Sequence, residues 1–406
     1  MKVMFICEAA VQNNELRCAS WIKSLASHLG EAFALILASP LVAENALVRQ
    51  NGRQIMLVPF YADIKAAAGQ IQAVSPEVIV IFGTEKSYTL SAVKACQAAG
   101  VLAKTALFAQ GICRACAAHY ADGVPSKIVR RYTFRDVLRR QNIQREQQML
   151  VKKAEDERQA VAMVPHFIGR TSLDRALAQE IHPNAHYYAC NDILRECFYS
   201  GSWNPVTMEK HRIFISQFYY PIKGFHYLLE AAAQLREAYP DFVIVAAGYN
   251  PIHSAVDKNE LKDSSYIRYI KSLIQRYQLQ KHIVLPGELS EDRMKEAYLK
   301  ANVFVMPSTI ENSPNSLAEA MMLGVPCIAA DVGGIADLAS SPTEALIYPS
   351  SDTRRLAEYI SNVFDNPSLA ASLSQNGKDR AERLYDRTRN IKAFEQILTD
   401  IQKSPK

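Results

Sequence analysis

The stretch VFVMPSTIENSPNSLAEAMMLGVPCIAADVGG, residues 303–334, predicts a strand, a loop, a helix and a second strand in immediate succession. Residues 303–307 are apolar, rich in β-branched side chains and closed by a proline, which is typical of a short buried parallel strand. Ser313 and Pro314 suit the N-cap and the first position of a helix. Gly324 suits the left-handed residue that follows a helix C-terminus. The stretch therefore favours an α/β fold with parallel strands.

Two carboxylates lie on either side of the predicted helix start. Glu311 lies in the loop, and Glu319 lies on the helix, four residues after Asn315 and so on the same face. A helix N-terminus favours an anion such as a diphosphate, because its amide groups and its dipole are positive. A carboxylate accepts hydrogen bonds from hydroxyl groups, so a sugar and a ribose are suitable partners. The alternative is an ordinary amphipathic helix with a solvated glutamate and an incidental loop glutamate.

The same stretch resembles the Glu-x7-Glu motif of retaining glycosyltransferases of family 4, which have the GT-B architecture of two Rossmann-like domains. The resemblance implies that Glu311 contacts the hexose of the donor and that Glu319 holds the ribose of its nucleotide. It also implies that the amides between them bind the diphosphate. The residues that match the motif are Glu311, Asn315, Ser316, Leu317 and Glu319.

Length and composition exclude several classes of protein. A chain of 406 residues, half apolar and a fifth charged, is expected to form two soluble domains. The apolar run at its start is too short for the core of a signal peptide, and no run reaches the eighteen apolar residues of a membrane span. Eight scattered cysteines suit reduced thiols, so we expect a cytoplasmic protein. A net charge of +5 does not argue for a nucleic-acid partner.

The first half of the chain alternates strands and helices, as a doubly wound parallel sheet does. The turn after its first strand, residues 8–20, contains no glycine, which excludes a dinucleotide-binding oxidoreductase. Many family-4 members have a Gly-Gly in this turn. Since this sequence lacks it, the question of a contact between the first half of the chain and the donor phosphates stays open.

Ligands of such sheets bind beyond the carboxyl ends of the strands, which gives candidate residues on the acceptor side. A long loop is predicted over residues 111–127, and a packed connecting loop is its alternative. The strand in residues 160–169 is predicted to place His166 at its carboxyl end as a catalytic candidate, against the alternative of a hydrogen-bonded structural histidine. The acceptor-side candidates are Gln110, Gly111, His119, Tyr120 and Arg170.

Residues 127–158 contain ten lysines or arginines against five acids, with apolar residues between them. This composition suits a helical segment that rests on an anionic membrane or meets a lipid-diphosphate acceptor. The alternative is a solvated helix face, because the acids dilute the charge.

The second half is expected to bind the donor. The dipeptide Lys223-Gly224 before a predicted helix resembles the family's lysine that contacts the donor diphosphate. Where family members carry an arginine, this sequence offers Gln217, which brings no charge. The resemblance also implies that the residues after two predicted strands border the base, namely Gly248, Gly287, Glu288 and Leu289.

These observations predict an α/β protein of GT-B fold, with two Rossmann-like doubly wound parallel-sheet domains facing a central cleft. The predicted division, with a linker at 200–211, is an acceptor-side domain at 1–203, a nucleotide-sugar domain at 204–385, and a helix at 386–406 packing back on the first domain.

The predicted function is a retaining glycosyltransferase with Glu311, Lys223 and His166 as catalytic candidates. It would move a hexose from a nucleoside-diphosphate sugar, UDP favoured over GDP, to a glycan or lipid-linked saccharide of a surface polysaccharide. The resemblance implies no metal and no cofactor besides the donor. The alternatives are a phosphorylase or epimerase of the same architecture and a non-catalytic nucleotide-sugar-binding subunit. Residues 127–158 would make a peripheral contact with the inner face of the plasma membrane.

Overall fold

A computed structural model describes residues 1–12, 15–249 and 262–405 of the chain. The chain divides into two compact units, each built from separated stretches. Unit 1 comprises Met1–Arg114, Val151–Arg195 and Tyr385–Lys406. Unit 2 comprises Ala115–Leu150 and Glu196–Leu384. The domain division expected from the sequence stays a prediction, and the units add that residues 115–150 belong with the second half of the chain.

Unit 1 contains an eight-stranded sheet in the order β10-β9-β8-β7-β1-β4-β6-β5. All neighbouring strands are parallel except β5, which runs antiparallel to β6. A separate antiparallel hairpin is formed by β2 and β3. The strands are β1 (Lys2–Ile6), β2 (Ala9–Gln12), β3 (Glu15–Cys18), β4 (Ala34–Ser39), β5 (Ala46–Gln50), β6 (Arg53–Pro59), β7 (Val78–Phe82), β8 (Thr105–Phe108), β9 (His166–Gly169) and β10 (His186–Ala189).

Unit 2 contains a six-stranded, fully parallel sheet in the order β13-β12-β11-β14-β15-β16. Its central strands are continuous apolar runs with every residue of β14 buried, as expected where a parallel sheet is covered on both faces. The strands are β11 (Arg212–Ile215), β12 (Val243–Ala247), β13 (Ile283–Gly287), β14 (Val303–Met306), β15 (Cys327–Asp331) and β16 (Leu346–Pro349).

Sixteen α-helices are described, with short 3-10 helices at Leu102–Lys104, Glu196–Tyr199 and Pro221–Lys223. In the part of the chain that the structure describes, no helix has both the length and the apolar character that a membrane span requires. The helices are α1 (Ser20–His28), α2 (Ile64–Val74), α3 (Thr89–Ala98), α4 (Cys113–His119), α5 (Ser126–Val129), α6 (Phe134–Leu138), α7 (Ile143–Met163), α8 (Ser172–Ile181), α9 (Phe225–Leu235), α10 (Ser265–Arg276), α11 (Glu291–Leu299), α12 (Asn315–Met322), α13 (Ile335–Leu338), α14 (Thr353–Asp365), α15 (Pro367–Leu384) and α16 (Arg387–Lys403).

The helix α16 completes the core of unit 1. Its buried Phe394 packs against Phe5 of β1 and Phe108 of β8, with ring centroids 5.9 Å and 6.1 Å away. Its Glu395 accepts a 2.7 Å hydrogen bond from the backbone amide of Gly30. Residues separated by more than three hundred positions along the chain therefore share one hydrophobic core.

The segment 115–150 is held within unit 2 by buried hydrogen bonds. Thr133 Oγ1 donates to the carbonyl of Asp263 at 2.7 Å, and the amide of Ser265 donates to Asp136 at 3.0 Å. His226 Nε2 lies 2.9 Å from the carbonyl of Asp122. Burial lowers the pKa of His226 to about 4, so the ring is neutral and donates this bond.

Three expectations about secondary structure are wrong. The helix predicted from about residue 14 begins at Ser20, because residues 9–12 and 15–18 form the paired strands β2 and β3. The loop predicted over 111–127 contains α4 and α5, and the alanine-rich sequence of α4 favours a helix. The apolar residues 160–163 are not part of a strand but form the last turn of α7, in which Ala160 and Val161 are buried. The long excursion expected after Tyr249 lies mostly outside the described residues.

The predicted linker is packed rather than extended. Trp203 is buried, its indole Nε1 donates to the carbonyl of Ala301, and its backbone amide donates to the carbonyl of Leu323, both at 2.7 Å. The connection at 200–203 therefore belongs to unit 2.

Two glycine turns approach the loop after β14 so closely that no side chain fits. Gly224 has φ +64°, and a Cβ there would lie 1.8 Å from the carbonyl oxygen of Pro307. Gly333 has φ +56°, and a Cβ there would lie 1.9 Å from the carbonyl oxygen of Glu311. At both positions glycine is therefore required twice, by the left-handed backbone and by the lack of space for a Cβ atom.

We expect Gly224→Ala to destabilise unit 2 by about 2–5 kcal/mol, the sum of about 1–2 kcal/mol for the left-handed backbone and about 1–3 kcal/mol for the clash. Gly287→Ala is the matched control, since Gly287 also has a positive φ, +81°, but nothing within 4 Å of an added Cβ. Gly287→Ala should lose only the part of the free energy of unfolding that is due to the left-handed backbone, about 1–2 kcal/mol. Urea unfolding of both full-length variants measures the difference, and equal losses would contradict the steric argument.

Candidate functional site

The loops after β11 and β14 are adjacent because these strands pair in parallel at the centre of the sheet of unit 2. The loop after β11 carries Lys223, and the loop after β14 carries Ser308 and Glu311. Lys223 Nζ donates to Glu311 Oε1 at 2.6 Å, and Ser308 Oγ donates to the same oxygen at 2.7 Å. The side chains of Lys223 and Glu311 are 18% and 12% exposed, so the pair is largely shielded from water.

Lys223 remains a cation in this environment. Burial lowers the pKa of its ammonium, but the carboxylate of Glu311 and the phenol of Tyr220 raise it more, so the pKa lies above its ordinary value. The ammonium also lies 5.7 Å from the centroid of the Tyr220 ring, within the range of a cation–π interaction. Burial raises the pKa of Tyr220 to about 12, which keeps its phenol protonated. The loop therefore holds a fixed positive charge.

The N-terminus of α12 lies in the same loop as Glu311. The predicted N-cap, Ser313, is wrong: Pro314 occupies the N-cap position, makes no side-chain capping bond, and the helix begins at Asn315. Ser313 Oγ and Asn315 Oδ1 are buried and have no hydrogen-bond partner among the described residues. Buried polar atoms are rarely left without a partner in a protein, so this helix start has two oxygens with unused hydrogen-bonding capacity.

The other residues of the motif lie on α12 as predicted. Glu319 is buried, with 5% of its surface exposed, and Leu317 is fully buried. The carbonyl of Ser316 accepts a 3.0 Å hydrogen bond from Tyr298. Gly324 has φ +74°, which confirms the left-handed residue expected after this helix.

The predicted base-side residues come together at the carboxyl ends of β12 and β13. The amide of Gly248 donates to the carbonyl of Gly287 at 3.0 Å, and both glycines have positive φ values. Exposed Glu288 and half-exposed Leu289 follow directly. Gln217, at the position of the missing arginine, accepts a 2.9 Å hydrogen bond from the hydroxyl of Tyr220 through its Oε1.

Two acceptor-side candidates belong to unit 2. His119 Nδ1 lies 2.8 Å from Asp122, and the carbonyl of His119 accepts a 2.8 Å bond from Thr309 Oγ1 in the loop after β14. Tyr120 is buried and donates to Glu146 at 2.6 Å. His119 borders a cavity of about 510 Å³, with Asp122, Thr309, Ile310, Asp331 and Gly333 among its other lining residues.

The remaining acceptor-side candidates lie at the carboxyl ends of β8 and β9 in unit 1. Arg170 forms a buried ion pair with Asp192 and donates to the carbonyl of Gln110 at 3.1 Å. The carbonyl of Gly111 accepts a 2.8 Å hydrogen bond from Thr84 Oγ1. The buried pairing of Arg170 is a structural contact within this unit.

The predicted placement of His166 is wrong. His166 is the first residue of β9, so it lies at the amino end of the strand, opposite the end where ligands of parallel sheets bind. Its ring is buried, its Nε2 lies 3.2 Å from the carbonyl of Ala103, and it stacks on His186. Burial lowers its pKa. These contacts are those of a structural histidine.

Tyr220 and Ser308 were missed by the sequence reasoning. Each lies three residues from a predicted site residue, Lys223 and Glu311 respectively, and each touches it in the structure. Proximity in sequence was the one available signal, because neither residue type is specific to this chemistry.

Part of the chain is similar in sequence to known glycosyltransferases. Residues 200–380 match the family model described as "Glycosyl transferases group 1". A capsular polysaccharide biosynthesis glycosyltransferase, CapM of Staphylococcus aureus, is 28% identical over 167 residues, 40% of this chain and 39% of that protein. The α-D-kanosaminyltransferase of Streptomyces kanamyceticus is 25% identical over 228 residues, 56% of this chain and 53% of that protein. The chain thus spans about a third to a half of the length of the curated relatives it matches.

Among solved structures, Anabaena HepE in complex with UDP and glucose superposes with a TM-score of 0.69 at 13% identity, over 98% of this chain and 99% of that one. The likeness confirms the predicted GT-B fold with two parallel-sheet α/β domains. We conclude that this GT-B chain carries a glycosyl transferases group 1 domain in residues 200–380.

Proposed function

We propose that the protein is a retaining glycosyltransferase that moves a hexose from a nucleoside-diphosphate sugar to a glycan or lipid-linked saccharide of a surface polysaccharide. The observation that carries the proposal is the Lys223–Glu311 pair beside the unpartnered Ser313 and Asn315 at the start of α12. UDP is favoured over GDP, in keeping with the UDP bound in the structure of HepE. The description of CapM supports a surface polysaccharide as the product.

In this proposal the donor diphosphate binds between Lys223 and the N-terminus of α12. Both are positive groups fixed in place before the reaction, so they stabilise the charge that develops on the departing diphosphate. Glu311 accepts hydrogen bonds from hydroxyls of the hexose, and Glu319 accepts them from the ribose. Gly248, Gly287, Glu288 and Leu289 border the base.

The transfer replaces one bond at the anomeric carbon by another. The bond to the diphosphate oxygen breaks and its electron pair leaves with the diphosphate. The acceptor hydroxyl oxygen bonds to the same face of the anomeric carbon and passes its proton to the departing diphosphate oxygen. Glu319 is assigned to the ribose, so the paired-carboxylate chemistry of glycoside hydrolysis is not proposed. Neither a metal nor a cofactor besides the donor is part of the proposal.

A second candidate is a non-catalytic nucleotide-sugar-binding subunit. Gln217 favours it, because a neutral amide stands where family members carry an arginine, and its oxygen already accepts a bond from Tyr220. Such a protein would bind the nucleotide but would not turn over the sugar. Measurements of binding and of turnover therefore separate the two candidates.

The location proposed is the cytoplasm, at the inner face of the plasma membrane. Helix α6 exposes 56% of Phe134, 60% of Val137 and 69% of Leu138. Exposed Arg130, Arg131 and Arg140 lie close by in sequence. Exposed apolar side chains with exposed arginines on both sides of them in the sequence suit an anionic lipid surface, where each cation contributes about 1 kcal/mol. We assign the membrane contact of segment 127–158 to this helix.

Lys223→Ala should weaken UDP binding about ten- to a hundredfold, because a charge-assisted hydrogen bond contributes about 1.5–3 kcal/mol. Calorimetric titration with UDP, GDP and ADP measures it. Lys210→Ala, which removes an exposed lysine, is the control. The double variant Lys223→Ala/Glu311→Gln removes the uncompensated carboxylate as well, so weakening in both variants identifies the lost cation as the cause. Unchanged UDP affinity in both would refute the diphosphate assignment.

Glu311→Gln should lower turnover of a UDP-hexose about a hundredfold or more, the scale of losing one preorganised transition-state contact, while UDP affinity should not fall, because the ammonium of Lys223 no longer has to leave a carboxylate. Release of UDP gives the rate, and NMR of the product gives the anomeric configuration, which should be that of the donor. A wild-type protein that binds UDP but turns over no sugar in a panel of donors and acceptors would support the non-catalytic subunit. An inverted product would exclude the retaining mechanism.

The double variant Phe134→Asp/Leu138→Asp should lose at least tenfold in co-sedimentation with vesicles containing phosphatidylglycerol, since it replaces apolar contacts with charges that anionic lipids repel. Met149→Asp is the control, because Met149 is 51% exposed and lies on α7 instead. Binding of the wild type should also fall with added salt. No co-sedimentation of the wild type at low salt would remove the membrane contact from the proposal.

A further inference from the structure

A second cavity in unit 2, of about 310 Å³, lies beside the Lys223 loop and is used by none of the proposed donor contacts. Its wall is formed by tyrosines of the loops after β11 and β12 on one side and by residues of α6 and α7 on the other. The lining residues used below are Arg135, Arg139, Tyr219, Tyr220, Tyr249 and Ser265. We propose that this cavity binds one pyranose unit of the acceptor, bearing a carboxylate or a phosphate. The inference rests on the proposed function.

Three tyrosine rings give the cavity a face suited to a sugar. Tyr219 packs edge-on against Tyr220 and Tyr249, with ring centroids 4.7 Å and 5.5 Å away. Burial raises the pKa of Tyr219, as it does that of Tyr220, so both phenols stay protonated. The hydroxyl of Tyr220 donates to Gln217, which leaves its oxygen as an acceptor. A tyrosine offers an apolar ring and a polar hydroxyl, which matches the apolar C–H face and the hydroxyls of a pyranose.

Ser265 is the second observation that points to a ligand. Its side chain is 1% exposed, borders the cavity, and its Oγ has no hydrogen-bond partner in the described part of the chain. A buried hydroxyl without a partner is destabilising, and a hydrogen bond with a sugar hydroxyl would remove that cost. The cavity therefore contains a polar group that needs a hydrogen-bonding occupant.

The charges in the cavity select an anion. Asp136 accepts bonds from the amides of Thr133 and Ser265 and pairs with Arg135 at 3.4 Å. Glu146, whose pKa is raised by burial, accepts from Tyr120 and Gln141. Both acids and one arginine are thus occupied within the protein.

Arg139 is the other charged residue that lines the cavity. It is exposed, borders the cavity, and makes no side-chain bond to any described residue. An unpaired guanidinium presents a fork of donors that fits a carboxylate or a phosphate. The volume lies at the small end of the range of about 300–1,000 Å³ for ligand pockets, so a single sugar unit fits better than a chain.

Tyr220 links this cavity to the donor site. Its ring borders the cavity and also lies 5.7 Å from Lys223 Nζ, and its hydroxyl donates to Gln217. A saccharide in the cavity would therefore lie beside the loop that holds the diphosphate. This arrangement suits an acceptor, which must approach the donor without displacing the nucleotide.

Saturation-transfer NMR on the full chain tests the inference. The probes are methyl β-glucuronide, glucose 6-phosphate and the neutral methyl β-glucoside, each with and without saturating UDP. We expect the two anionic sugars to bind about tenfold more tightly than the neutral one. Arg139→Gln should abolish that preference, and Ser265→Ala should weaken all three probes. Arg130→Gln, an exposed arginine that does not line the cavity, is the control.

The outcomes separate the inference from the proposed function. A stronger signal from the phosphate than from the glucuronide assigns the anion as phosphate, and the reverse assigns a carboxylate. Displacement of the sugars by UDP would overturn the inference, because the cavity would then belong to the nucleotide. UDP binding without any sugar signal also overturns it and leaves the transferase intact. Sugar signals that depend on Arg139 in a protein that does not bind UDP support the cavity and overturn the transferase.

Discussion

The close approach of two glycine turns to one loop is the constraint on which the site depends. Gly224 follows β11 and Gly333 follows β15, the two strands that flank β14, and they approach carbonyl oxygens at the two ends of the loop 307–311. The backbone of this loop is therefore held by close contacts between main-chain atoms, together with Thr309 Oγ1, which donates to the carbonyl of His119. That leaves Ser308 and Glu311 available to point at Lys223 and at a ligand. Rigid backbone and free side chains are what a preorganised binding site requires.

The electrostatics of the site follow from that geometry. A shielded lysine and glutamate compensate each other, so the loop carries its cation at little cost before a ligand arrives. A diphosphate at the start of α12 would compete with Glu311 for the lysine. The glutamate would then be released to accept bonds from the sugar. One interaction can thus couple the binding of the phosphates to the orientation of the hexose.

The fold and the donor motif could be predicted because their signals are local. Short apolar strands, a proline at a helix start, glycines after helices and two glutamates at fixed spacing are visible within thirty residues. The errors arose where the structure depends on distant contacts. His166 was placed at the wrong end of its strand because the apolar residues 160–163 resemble a strand but form the last turn of a helix.

Contacts between residues that lie far apart in the chain could not be predicted from the sequence either. Segment 115–150 packs on residues more than a hundred positions away, such as His226 and Asp263, and no periodicity in its own sequence indicates this. The saccharide cavity combines three such separated stretches. Its tyrosines and arginines are ordinary surface residues in the sequence, and they acquire meaning only from their arrangement.

The interleaved units also set the order in which the protein can be made. Phe5 and Phe108 of unit 1 are covered by Phe394, so their core stays open on the ribosome until residues 385–406 have emerged. In unit 2, residues 115–150 likewise cannot pack until the strands of its sheet, which follow them in the sequence, have been synthesised. The N-terminal-first order that is usual for multidomain chains is therefore closed to this protein, because unit 1 is completed only by residues that follow the last residue of unit 2. The apolar strands β1 and β8 therefore wait without their final cover while the rest of the chain is made.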